Sequence, residues 1–214
     1  MKSQELLEQM EPLAPADFFT CHAKAFYSES LASLQKLAAL PDLSFLLDEP
    51  SFGSVTLGWN ERGLLGRVVV DVPLTESCFP DYTKGDSFEL LVDTRDFKKA
   101  GFVGRFCHHF VFLAQEVQGI LAEEVTRFRS DDKHALCASS DLVVKKAIKA
   151  TSYELLFSID ASALHGYDPT HFSQLGVAYR IHRAKGAPQH FPCHFTSFDV
   201  VQHPSLWASI ELIH

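Results

Sequence analysis

Five polar side chains stand at strand positions that could bring them onto one surface: Glu89, Arg105, His109, Arg180 and His182. Residues 87–93 alternate Phe88, Leu90 and Val92 with Ser87, Glu89, Leu91 and Asp93, as a half-buried strand does. From Phe102 onward a long apolar stretch puts Phe106, His108, Phe110 and Phe112 on one parity. Arg105, Cys107, His109 and Val111 take the other. Over 175–183, Leu175, Val177, Tyr179 and Ile181 oppose Arg180 and His182. With the Phe faces turned inward, the five polar groups share the outward face. Arginine offers a planar donor fork for carboxylates, phosphates or vicinal hydroxyls, and His and Glu add acceptors. One carboxylate among four potential cations leaves positive charge to be balanced. The complement is a small polar or anionic ligand, or an acidic protein segment. The competing reading is a cross-strand salt-bridge ladder on a solvated face.

A second set of residues suggests metal chemistry. Among eleven histidines, His108, His109, His190 and His194 lie beside Cys107 or Cys193 in sequence. Thiolate and imidazole suit zinc or iron. Strand alternation, however, sends Cys107 and His108 to opposite faces, and His108 is expected to be buried against backbone. Cys107 and His109 share a face, but no orienting third group or oxyanion-forming helix start accompanies them. Asp131-Asp132 and the segment Asp93-Thr94-Arg95-Asp96 carry oxygen ligands without the spacing of a calcium loop. No catalytic residue, metal ligand or cofactor is therefore assigned. A metal-dependent enzyme or redox protein built on the Cys and His set is the alternative to a binding domain. A structural protein-interaction domain is the third reading.

The elements that must hold these residues are short strands. Val55, Leu57 and Trp59 alternate, Asn60-Glu61-Arg62-Gly63 is a turn, and 64–71 returns. Further strands are expected over 88–93, 102–113, 124–129, 142–148, 153–160, 175–183 and 206–213. About nine strands joined by turns predict a mainly β fold, a two-sheet antiparallel β-sandwich, with a closed barrel as the alternative. Phe88, Phe106, Phe110, Phe112, Phe128 and Phe157 fit the inward parity and form its core.

Residues 1–49 differ and are expected to form a short, partly helical extension packing on a sandwich of residues 50–214. A helical turn is expected over 3–10, broken by Pro12 and Pro15, and Ser28 or Ser30 can cap a helix through Leu31, Leu34 and Leu37. Residues 18–27 are ambiguous, with an extended conformation as one reading.

Composition narrows the class. The 214 residues are 46% hydrophobic and carry a net charge of −8 with neutral His, which argues against a nucleic-acid partner. No apolar run approaches the roughly 20 residues of a membrane helix, so no membrane partner is expected. Five cysteines without a C-x-x-C pair, and an N-terminus lacking an apolar signal core, predict reduced thiols in a cytoplasmic protein.

Three segments together carry a family resemblance. The first runs from Val55 through Trp59-Asn60-Glu61-Arg62-Gly63 to Asp71, and the second from Gly85 to Arg95. The third joins Tyr153–Ile159, Leu164-His165-Gly166-Tyr167-Asp168-Pro169, Leu175–Ile181 and Pro204-Ser205-Leu206-Trp207. Over roughly residues 50–213 the order and spacing resemble family-nine carbohydrate-binding modules and the wider DOMON-like β-sandwiches. The chain looks most like uncharacterised bacterial members with a stretch similar to Arg105-Phe106-Cys107-His108. The resemblance implies a non-catalytic two-sheet sandwich. It also implies a concave face where aromatic platforms and polar groups grip a sugar in some relatives. Other relatives hold haem or no known ligand, and some carry structural calcium. Trp59 and Trp207 adjoin core strands and are expected to be structural rather than sugar platforms.

Overall fold

The computed structural model describes residues 18–99, 101–125 and 134–214. The helical turn expected over 3–10, Phe128, Asp131 and Asp132 lie outside these residues. The alternating apolar segments form strands where expected: β2 (Gly53–Asn60), β3 (Gly63–Val70), β4 (Ser87–Asp93), β7 (Leu142–Ile148), β8 (Tyr153–Asp160), β9 (Gln174–His182) and β11 (Ala208–Ile213). Two strands come from segments without a clear period, β1 (His22–Tyr27) and β10 (Gln189–Phe191). The long strand β5 (Cys107–Val117) begins later than the apolar pattern suggests. It pairs with β6 (Ile120–Glu124) through a tight turn in which Gln118 and Gly119 both have positive φ, 54° and 85°. Such a turn matches the twist of a hairpin. Of the strand expected over 124–129, Glu124 is the last residue of β6, and residues 126–129 lie outside the described residues.

The fold is mainly β, and the expected two-sheet antiparallel sandwich is corrected in its sheet organisation. The strands form one continuous mixed sheet in the order β6-β5-β4-β9-β11-β1-β2-β3-β8-β7, with β10 pairing on β9. Strand β1 runs parallel to both neighbours, β11 and β2, while the other pairings are antiparallel. It joins two antiparallel groups into one rolled sheet. Its pairing with β2 is short, Phe26 opposite Gly58 and Tyr27 opposite Trp59, which lets the sheet bend there. A parallel strand needs a distant partner, so local sequence gives little sign of it. The helix expected from Ser28 or Ser30 is instead a 3-10 segment, Leu31–Lys36, started by Ser30 and ended at the extended Leu37. The only α-helical turn among the described residues is α1 (Ser44–Leu47). No helix among the described residues is long and apolar enough to cross a membrane.

The roll encloses a phenylalanine core. Phe157 of β8 stacks on Phe112 of β5 at 4.2 Å and lies 5.6 Å from Phe88 of β4. Tyr179 and Phe191 extend the stack at 5.0 Å. Phe106, expected in this core, precedes β5 and is only half-buried. Trp59 is buried, and its Nε1 donates to the Ile213 carbonyl at 3.2 Å.

A second apolar cluster covers the opposite face of β4, β5 and β9. There Leu91, Cys107 and Ala178 meet Phe195, Val200, Leu206 and Trp207 from the segment before β11. The Trp207 Nε1 donates to the Val200 carbonyl at 2.6 Å. Both Trp side chains are thus inside the molecule, and neither is an open platform. All seven residues of β4 are buried, which corrects the half-buried reading of that strand.

Gly66 of β3 marks the tightest point of the roll. A Cβ there would stand 1.9 Å from the Phe157 ring. Gly66→Ala should lower stability by about 1–3 kcal/mol in urea unfolding, as overpacking does. Gly104→Ala, whose Cβ would meet nothing within 4 Å, should change it by less than about 0.5 kcal/mol.

Candidate functional site

Four of the five expected site residues converge. Glu89 stands at the centre of β4 with 0% exposure. Cross-strand register sets Arg180 of β9 directly opposite it, with His182 and His109 two positions away on the flanking strands. Arg180 grips the carboxylate with two donors, Nε to Oε2 at 2.6 Å and Nη2 to Oε1 at 2.9 Å. His109 Nε2 donates to Oε1 and His182 Nε2 to Oε2, each at 2.8 Å. A carboxylate only accepts, so both imidazoles carry the proton on Nε2.

The cluster is closed over. Tyr82 sets its ring edge-on to His109 and His182 at 6.2 and 5.9 Å, and Arg180 lies over Phe195 at 4.4 Å. The face is therefore neither solvated nor open, because the segment 193–207 and Tyr82 cover it.

The electrostatics follow from these contacts. Burial opposes the Glu89 charge, but hydrogen bonds from His109, His182 and Arg180 outweigh it and hold the carboxyl well below its usual range. Burial lowers the His182 pKa despite the Glu89 bond, so this ring is a neutral donor. Glu89 and Arg180 balance each other's charge within the cluster.

Arg105 is not part of this cluster. The chain at Arg105-Phe106 is a turn before β5, so strand parity does not apply to it. Its guanidinium lies over Phe106 at 5.0 Å. It lines a different cavity of 380 Å³, together with His108, His134, Cys137, Ser162 and His165.

Planar groups lead into that cavity in a continuous stack. Arg95 sits 3.7 Å over Phe172 and 4.8 Å over Phe106. Phe106 stacks on His165 at 5.4 Å, His165 on His134 at 6.3 Å, and His134 lies 4.7 Å from His108. Gly166 permits this closeness, with φ of 80° and the Phe106 ring 2.6 Å from where a Cβ would be. Arg95 also donates to the Gly166 carbonyl. The rim acids are used up locally: Asp93 accepts backbone N–H groups of Arg95 and Phe97 at 3.0 and 2.8 Å, and Asp96 accepts the Ser209 hydroxyl at 2.6 Å.

The histidines form two further groups with carboxylates. At the cavity, His108, Glu124 and His134 bring ligand atoms within 4.8 Å of one another, as do Glu49, His190 and His194 beside α1. His108 Nδ1 bonds Glu124 Oε1 at 2.8 Å, which corrects the expectation that backbone satisfies it. Sequence reasoning flagged His108, His190 and His194 but missed Glu124, His134, His165 and Glu49. These four lie far apart in the chain, with no shared spacing to join them. All five cysteines are free. Burial pushes the Cys137 thiol up to about 12 and the Cys193 thiol up to about 11.

Comparison with known proteins shows what this fold resembles. No protein-family model matches the sequence, and no curated protein matches it. Solved structures do match. One is a carbohydrate-binding module family 9 protein from Caldicellulosiruptor kristjanssonii in complex with cellotriose. It has 13% identity, covers 90% of this chain and 93% of its own, and has a TM-score of 0.61. A family 9 module from the same organism in complex with glucose matches at 13% identity over 89% and 95%, with a TM-score of 0.56. A Bacteroides uniformis protein, whose carbohydrate binding is itself only inferred, matches at 8% identity over 90% and 98%, with a TM-score of 0.58. The chain thus has a fold like that of carbohydrate-binding module family 9.

The Glu89 cluster predicts a defined response to acid. Glu89 and His182 both have lowered pKa values when folded, so the unfolded chain takes up their protons more readily. Stability is then present at neutral pH and lost as pH falls. The His182 contribution begins to fade below about 6.5 and the Glu89 contribution below about 4.3. The melting temperature should fall from pH 7 to pH 5 and fall further below that. At pH 7, Glu89→Gln should cost about 3–5 kcal/mol, as breaking a buried ion pair does. A flat melting profile between pH 7 and pH 5 would show that His182 does not titrate as its burial requires.

Proposed function

We propose that the chain is a non-catalytic binding domain for a small polar ligand related to carbohydrates. The observation that carries this reading is the 380 Å³ cavity at the end of the planar stack. Its size falls within the range of about 300–1,000 Å³ for small-ligand sites. Arg105, Ser162 and His165 offer donors and acceptors around it, and the His108, His134 and His165 rings supply planar surface in its wall. Sugars need that combination of planar apolar faces and directed polar groups. The fold likeness to modules solved with cellotriose and glucose supports the same ligand class.

Arg105 is the one expected site residue assigned to direct contact in this reading. Glu89, His109, Arg180 and His182 serve the scaffold instead, holding β4, β5 and β9 in register. The raised thiol pKa values of Cys137 and Cys193 leave them protonated, which disfavours a thiolate nucleophile there. The cytoplasmic location expected from the cysteine pattern belongs to the same proposal.

The test is a thermal-shift screen of glucose, cello-oligosaccharides, other neutral sugars and sugar acids, followed by calorimetry on any hit. Arg105→Ala and His165→Ala should each weaken binding by roughly tenfold or more, as loss of a charged or polar contact of about 1.5–3 kcal/mol does. Their melting temperatures should stay near that of the native chain, because both residues are exposed. A hit that both variants bind normally would move the site to another cavity, such as the 440 Å³ one beside Arg62 and Asp160. A screen without hits would overturn the carbohydrate reading.

A further inference from the structure

We infer that His108, Glu124 and His134 form a binding site for one divalent transition-metal ion of the zinc type, with an open coordination position facing the cavity. The three residues come from β5, the end of β6 and the segment that follows, and all are buried. Glu124 Oε1 lies 2.8 Å from His108 Nδ1 and 3.3 Å from His134 Nε2. Around a tetrahedral ion with bonds of about 2.0–2.2 Å, neighbouring ligand atoms stand roughly 3.3 Å apart. The two spacings to Glu124 Oε1 lie within about 0.5 Å of that value, the three ligand atoms stand within 4.8 Å of one another, and two imidazoles with one carboxylate are a donor set suited to zinc.

One further observation points to a ligand. The Glu124 carboxylate is oriented from behind, because the Cys137 backbone N–H donates to its other oxygen, Oε2, at 2.8 Å. That is the outer support that metal-binding carboxylates need. The His108 ring is fully buried at the cavity wall.

The second triad fits less well. His194 Nε2 donates to the Leu47 carbonyl at 2.5 Å, its Nδ1 stands 3.6 Å from Glu49, and the His190 backbone N–H holds Glu49 Oε1 at 2.6 Å. Glu49 is thus engaged in fastening α1 to β10. The metal inference does not depend on the carbohydrate reading, since it concerns ion binding with no sugar present.

The experiment uses the untagged full chain after chelator treatment. Zinc titrated by calorimetry should bind with a stoichiometry of one. His134→Gln and Glu124→Gln should each lower affinity by more than the tenfold to hundredfold typical of losing outer support alone. His194→Gln should leave it unchanged. Since Glu124 is buried and its variant could fail to fold, wild-type crystals soaked in zinc give an independent readout. Anomalous density should lie between His108, Glu124 and His134. Absence of binding overturns the proposal. So does density beside Glu49, or loss of binding in His194→Gln with retention in His134→Gln.

Discussion

The structure depends on the burial of one carboxylate. Glu89 lies in a strand whose two faces are both covered, one by the phenylalanine core and the other by the Trp207 cluster. An ionised group in that position is tolerable only if its oxygens are fully bonded. Arg180, His182 and His109 meet that demand from the two flanking strands, and only one register of β5, β4 and β9 brings all three within reach. A one-residue slip would turn every partner to the other face. The cluster thus specifies the pairing of three strands, and its closure by Tyr82 and Phe195 leaves it unsuited to an incoming ligand.

The same three strands carry the other half of the architecture. β9 passes the sheet on to β11, β11 to β1 and β1 to β2, so the short parallel strand β1 links one antiparallel group to the next. The sheet then rolls until Phe157 of β8 meets Phe112 and Phe88. What local patterning suggests as two sheets is one sheet bent around its core.

A second set of polar and planar groups gathers at the edge, away from the Glu89 cluster. At the start of β5 the chain turns through Arg105-Phe106, and Gly166 lets the facing loop approach closely enough for Phe106 and His165 to stack. The planar stack runs from Phe172 to His108, linking the exposed rim with the buried His108–Glu124–His134 group. Arg105 and His165 of the rim share one cavity with His108 and His134 of the buried group.

Sequence alone determined the strands with strict alternation, because period two is a local property. Val55 to Trp59, Phe88 to Asp93 and Tyr153 to Asp160 could be read without any structure, as could the shared face of Glu89 and Arg180. The positions of His109 and His182 followed from the same rule. Arg105 did not, because it lies just before its strand begins and the alternation that seemed to include it had not started. Only the tertiary structure decided that the polar face is buried, since the residues covering it, Phe195 to Trp207, come from a segment with no period of its own. It alone decided that β1 is a central strand, because its partners are distant in sequence. The grouping of His108, Glu124, His134 and His165 was likewise settled by folding, since side chains drawn from separate turns meet only when the sheet has rolled.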